Sequence, residues 1–188
     1  MQIFLETELL LLRQFTPDDV DNLVALDSDP DVMRFINGGR PTSREQVEHE
    51  ILPRYVRSNQ VSGFGTWAAV EKSSGEFVGW FGFRPPADGS TDDPELGYRL
   101  RKSAWGQGYA TEGSRALIRK GFTEHGVQRV FAHTMTVNLA SRRVMEKAGL
   151  RFVRTFFLAW PESIDGTAHG DVEYALRKAD WLVLPGSP

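Results

Sequence analysis

Residues Glu95 to Leu150 read ELGYRLRKSAWGQGYATEGSRALIRKGFTEHGVQRVFAHTMTVNLASRRVMEKAGL. The run opens as a strand, Glu95 to Leu100, with Tyr98 and Leu100 alternating against Arg99 and Arg101. A short polar turn leads to Trp105-Gly106-Gln107-Gly108-Tyr109-Ala110-Thr111, and an amphipathic helix follows. Glycines two apart, where a strand-loop unit becomes a helix, let the backbone come close to a ligand. The first N–H groups of that helix lack partners within it and sit at the positive end of its dipole, so a phosphate or pyrophosphate is their natural guest. No Gly-Lys-Ser/Thr ends the loop, which excludes a Walker loop. Only Gly106 and Gly108 are present, with Ala110 further on, so the dinucleotide fingerprint is incomplete. Alone, this loop also describes a tight strand–helix turn. The second half of the run adds a strand, Arg129 to Met135, and then Asn138-Leu139-Ala140-Ser141, which opens a helix ending at Ala148-Gly149.

This combination resembles the GNAT superfamily of acyl-CoA-dependent N-acetyltransferases, and within it the branch of Rim-type ribosomal-protein N-terminal acetyltransferases. The matching pieces are Leu10–Arg13, Leu96-Gly97-Tyr98, Trp105 to Thr111, Asn138 with Ser141, and Glu146 to Gly149. They cover the chain from about Glu6 to Trp181. The superfamily usually has Gln or Arg where Trp105 stands; Trp is common in the Rim-like branch, so the departure narrows the resemblance.

Outward from this run, the chain is ordinary for a globular protein. It has 188 residues, 40% hydrophobic and 25% charged, which suggests a single domain spanning 1–188. The net charge of −3 gives no electrostatic case for nucleic acid or an acidic membrane. Without Cys, disulfides, thiolate metal sites and a cysteine acyl-enzyme are excluded, and a cytoplasmic location fits. No signal peptide or membrane-length apolar run is evident, and no metal site is expected.

In chain order, Leu9 to Arg13 is a first strand. Thr16-Pro17-Asp18-Asp19 starts a helix that Asp29-Pro30 breaks. A short turn of helix follows from Asp31 to Ile36, closed by Asn37-Gly38-Gly39. A helix from Ser43 to Ser58 should kink near Ile51 because of Pro53. Phe64 to Glu71 and Phe77 to Phe83 form a hairpin. Arg84 to Pro94 is a loop, Leu150 to Ala159 a strand, Trp160 to Gly170 a loop and Val172 to Arg177 the last strand. Ala179 to Trp181 covers its end, and residues 185–188 are a frayed tail. These elements predict an α/β (α+β) fold with a mixed, largely antiparallel sheet flanked by helices, the order the GNAT fold would show.

The resemblance implies acetyl-CoA as co-substrate and an amine acceptor, either a protein N-terminus or a small molecule; it also allows a homodimer. Gly106, Gln107, Gly108, Tyr109, Ala110 and Thr111 would hold the pyrophosphate, with Trp105 packed beside them. Tyr98, Arg99 and Leu100 would act through their backbone, pairing with the pantetheine arm as an added strand would. One of those N–H groups could also stabilise the oxyanion that develops on attack. Asn138 is a helix N-cap, a pantetheine contact or both. Ser141 is either a first-turn serine bonding backward or the group that protonates the leaving thiolate. The acceptor amine must lose a proton. Glu95 is the best-placed carboxylate for that, beside the plainer reading of an exposed strand-end Glu. His133 on the neighbouring strand is the other candidate base, imidazole being the side chain most used for proton transfer near neutral pH. Asp92 and Asp93 are loop charges that a cationic acceptor could also meet. A non-catalytic acyl-CoA-binding sensor is the rival of another class. No specific motif marks Ser28 to Pro41, Arg84 to Pro94 or Trp160 to Gly170, which would shape the acceptor site.

Overall fold

The computed structural model describes residues 2–58, 63–86, 89–160 and 164–184; the tail at 185–188 lies outside them. The alternating stretches form eight strands of one sheet: β1 (Ile3–Glu6), β2 (Leu10–Arg13), β3 (Gly65–Glu71), β4 (Phe77–Arg84), β5 (Glu95–Leu100), β6 (Arg129–Met135), β7 (Arg151–Phe156) and β8 (Asp171–Arg177). Their order is β1-β2-β3-β4-β5-β6-β8-β7. Each neighbouring pair is antiparallel except β5 and β6. This is the mixed, largely antiparallel sheet that the sequence predicts.

Between β2 and β3 lie α1 (Val20–Ser28), α2 (Pro30–Asn37), α3 (Arg44–Gln46) and α4 (Leu52–Ser58). Asp29 both ends α1 and caps α2, accepting from the Asp31 N–H at 2.9 Å, with Pro30 at the first helical position and left-handed Gly38 closing the helix. So the short turn expected at Asp31–Ile36 is an eight-residue helix. The kink expected near Ile51 is a π turn, Val47–Ile51, joining α3 to α4. Pro53 has no N–H to continue the ordinary ladder, and the Leu52 N–H instead reaches back to the Val47 carbonyl.

Two elements depart from expectation. β1 was not anticipated: it is a four-residue, half-exposed edge strand held by Phe4 stacked on Trp67 at 4.0 Å, too short for its alternation to register. The strand predicted from Leu150 to Ala159 stops at Phe156, where pairing with β8 runs out at Asp171.

Strand β7 stays largely exposed, while helices cover both faces of the central strands. On one lie α5 (Tyr109–Glu124) and α6 (Leu139–Lys147), meeting Leu96, Leu100, Val130 and Tyr174. On the other lie α1 to α4, whose Leu23, Leu26, Leu52 and Tyr55 pack on Ala68 and Trp80. A short α7 (Lys178–Trp181) puts Trp181 against Phe122 at 5.3 Å. Helix α5 lies very close to the sheet because Gly113 and Gly121 face it. A Cβ on Gly113 would sit 2.4 Å from the Phe81 ring, and one on Gly121 2.7 Å from the Phe83 ring.

Helix propensity alone favours Gly113→Ala by about 1 kcal/mol. Phe81 is fully buried, so overpacking of about 1–3 kcal/mol opposes that gain. We expect the variant to be destabilised in urea unfolding; a midpoint at or above wild type would show that the ring moves aside.

Candidate active site

The connection between β5 and β6 creates the site. A parallel pair needs a crossover, and α5 supplies it. Strand β5 pairs with β4 along its whole length, from Arg84↔Glu95 to Gly79↔Leu100. With β6 it shares one bridge, Glu95↔Phe131. Below that bridge the Asp92 carbonyl accepts from the Gln128 and Arg129 N–H groups at 2.8 and 3.0 Å, and the Pro94 carbonyl from the Phe131 N–H at 3.2 Å. Beyond it the strands diverge, so residues 96–100 present one backbone edge to a wedge-shaped gap. Unpaired backbone groups of this kind call for a partner.

The wide end of the gap leads to the glycine loop. Gly106 and Gly108 have φ of 76° and 89°, and a Cβ on either would meet nothing within 4 Å. Gly108 is the N-cap of α5, which no side chain caps. The first helical bond runs from the Glu112 N–H to the Gly108 carbonyl at 3.0 Å, so the N–H groups of Tyr109, Ala110 and Thr111 precede the ladder. The Glu112 carboxylate is turned aside, accepting from the Leu9 N–H at 2.8 Å. Exposed Gln107 rides between the glycines, and the Tyr109 hydroxyl donates to Glu71. The Trp105 indole N–H donates to the Leu100 carbonyl at 2.9 Å, fixing the end of β5 beside the loop. An open, left-handed, uncapped helix entrance and a free strand edge fit the anionic and extended parts of a coenzyme A.

Side chains of β5 alternate across the sheet. Glu95, at the narrow end, approaches Arg84 at 3.4 Å and stays about one-third exposed. Arg99 reaches Asp27 of α1 at 2.6 Å; Asp27 is wholly buried, and the guanidinium lies over the Trp80 ring. Tyr98 points the other way, to α6, with its Oη 3.0 Å from Ser141 Oγ and 3.1 Å from the Ser141 carbonyl oxygen. Burial pushes the Tyr98 phenol up to about 12, with the Ser141 contact pulling weakly the other way. Asn138 caps α6 by accepting from the Ser141 N–H at 3.2 Å and donates to Thr134 Oγ1 at 3.0 Å.

His133 faces Glu173 at 3.5 Å, with the rings of Phe131 and Phe156 at 5.0 and 4.9 Å. Glu173 is also held by Arg129 and by Arg154, the latter at 2.8 Å. Asp93 pairs with Arg129 at 2.6 Å, so its charge is used within the fold. The side chains of Tyr98, Arg99 and Asp27 were not singled out from sequence, since their partners lie 43 and 72 residues away.

Residues 10–151 match the family model described as an acetyltransferase (GNAT) domain. The chain is 41% identical over 178 residues to the FsC-acetyl coenzyme A-N(2)-transacetylase of Aspergillus fumigatus, covering 90% of this chain and 71% of that one. It is similar to the crystal structure of a GNAT-family acetyltransferase from Bacillus anthracis, with a TM-score of 0.75 at 25% identity, covering 95% and 99% of the two chains. RimL, a ribosomal alpha-N-protein acetyltransferase solved with coenzyme A, shares the fold with a TM-score of 0.76 at 20% identity, over 94% and 98%.

Removing one partner of a buried ion pair strands the other charge, at a cost of about 3–5 kcal/mol. Asp27→Ala should lose stability on that scale in chemical denaturation. A loss below ~1 kcal/mol would mean that desolvation already cancels the pair.

Proposed function

The chain belongs to the GNAT acetyltransferase family and is an N-acetyltransferase, and from that premise we propose that residues 1–188 work as one catalytic domain moving acetyl from acetyl-CoA to a primary amine by direct attack in a ternary complex. The observation that carries this is the single bridge between β5 and β6, with the glycine loop at the open end. At ~3.3 Å per residue, β5 is about 16 Å from Glu95 to Leu100, a scale suited to an extended pantetheine arm lying between pyrophosphate and thioester.

In this reading Gly106 to Thr111 hold the pyrophosphate, and the backbone of Tyr98, Arg99 and Leu100 lines the arm, with Asn138 on the opposite wall. Acetyl-CoA supplies the acetyl group as a thioester. The acceptor nitrogen forms the new C–N bond as the C–S bond breaks; the nitrogen loses a proton and the sulfur gains one. Glu95, at the narrow end, receives the amine proton directly or through one water. Ser141 donates its hydroxyl proton toward the departing sulfur. A backbone N–H of β5 steadies the charge developing on the carbonyl oxygen. His133 is the second choice of base, because its Nε2 is turned toward Glu173, which two arginines also hold.

The acceptor is a protein N-terminal amine or a small-molecule amine. The relative at 41% identity is named for acetyl transfer from acetyl coenzyme A to an N2 nitrogen, which supports a nitrogen acceptor. A panel of amines with acetyl-CoA, read by mass spectrometry, tests the function; absence of turnover with CoA still bound would favour a non-catalytic acyl-CoA-binding module.

Gly108→Glu has room for its side chain, and left-handed strain should cost only about 1–2 kcal/mol. The variant should fold and lose CoA binding in calorimetry, because a carboxylate then occupies the phosphate position. Unchanged affinity would refute the loop assignment.

Glu95→Gln keeps size but cannot accept a proton. Positioned bases contribute about 10²–10⁴-fold, so activity at pH 7 should fall by that order and recover in part at high pH, where the amine is already neutral. A drop under about threefold, with the pH profile intact, would move the role elsewhere.

A further inference from the structure

Tyr98 and Ser141 come from different parts of the fold, a mid-strand position on β5 and the first turn of α6, yet their hydroxyl oxygens are 3.0 Å apart. Among the described residues, Ser141 Oγ has no other hydrogen-bond partner. A serine in the first turn of a helix ordinarily bonds backward to the backbone or to its cap. Here the cap contact goes through the Ser141 N–H to Asn138, leaving the hydroxyl to the phenol.

We propose that Tyr98 is a positioning residue for the transfer: its phenol fixes the Ser141 hydroxyl and releases that hydroxyl's proton to face the departing sulfur. This rests on the donor role given to Ser141 above.

Two arrangements are compatible with the distances. In the first, Tyr98 donates to the Ser141 carbonyl at 3.1 Å, and Ser141 Oγ donates back to the phenol oxygen. Ser141 then has no proton to offer. In the second, Tyr98 donates to Ser141 Oγ, and the Ser141 proton is free. Exchange between them needs only rotation of two O–H bonds, without heavy-atom movement. Negative charge growing on sulfur favours the second, and a donor behind a donor strengthens the front one. Tyr98 keeps its own proton throughout. Burial raises its pKa to about 12, well above a thiol near ~8.5, so it orients and polarises and does not titrate. Its ring packs by Phe81, with centroids 6.2 Å apart, and Tyr98→Phe preserves that packing.

The test is a double-mutant cycle of Tyr98→Phe and Ser141→Ala in single-turnover acetyl transfer, with acetyl-CoA affinity measured alongside. In the Ser141 background, Tyr98→Phe should lower the transfer rate about tenfold, the scale of one hydrogen bond, with acetyl-CoA affinity unchanged. In the Ser141→Ala background the same change should do almost nothing. Equal losses on both backgrounds would overturn the proposal while leaving Ser141 its role, since Tyr98 would then only brace strand against helix. Tighter acetyl-CoA binding with an unchanged rate would also overturn it, because the bond would then merely close the gap. An unchanged rate in Ser141→Ala alone would sink the Ser141 reading and this one with it.

Discussion

Strand β5 is hydrogen-bonded on one side along its full length and on the other at a single residue, and the rest of the molecule keeps that imbalance in place. A half-bare strand inside a sheet tends to close on its neighbour, because each unpaired backbone group is costly. Four contacts oppose closure. The Asp92 carbonyl pins the narrow end to β6. Arg99 ties one face to Asp27 of α1. Tyr98 ties the other to Ser141 of α6. The Trp105 indole holds the far end. The Asp92 and Trp105 bonds sit at the two ends of β5, and the two side-chain ties lead away from its backbone, so the edge between the ends is left without a strand partner.

Much of this was legible in the sequence because it is local. The glycine pair, the strand that precedes it and the Asn138 cap are each written within a few residues. Their physics, left-handed backbone and unpaired helix N–H groups, needs no knowledge of the remaining chain. Pro53 likewise announced an irregularity near Ile51, although only the structure shows a π turn there. What could not be read is non-local. Nothing near Arg99 indicates that Asp27 will meet it, and nothing near Tyr98 separates a backbone role from a phenol aimed at Ser141. β1 escaped because four half-exposed residues leave no periodic trace. The Leu150–Ala159 run looked longer as a strand than it is, since Phe157 and Leu158 continue the apolar composition while standing exposed beyond the last bridge.

The close seating of α5 matters to the site as much as to the core. Gly113 and Gly121 bring the helix axis down onto Phe81 and Phe83, and the same rigid helix carries the uncapped N–H groups at its start. The depth of the helix in the core therefore fixes where those groups stand relative to β5. Core packing and the placement of those N–H groups are set by one helix and cannot be tuned separately.

The strand order β6-β8-β7 has a consequence for how the chain is made. β8 lies between two strands that precede it in the chain, with seven bridges to β6 and five to β7. Until residues 171–177 leave the ribosome, β6 and β7 cannot join one sheet, and the face that α6 covers is incomplete. The earlier strands must hold while a slot stays open for β8, which enters between two strands made before it. For this topology, the sheet is completed by inserting a later strand between two earlier ones, not by adding one at an edge.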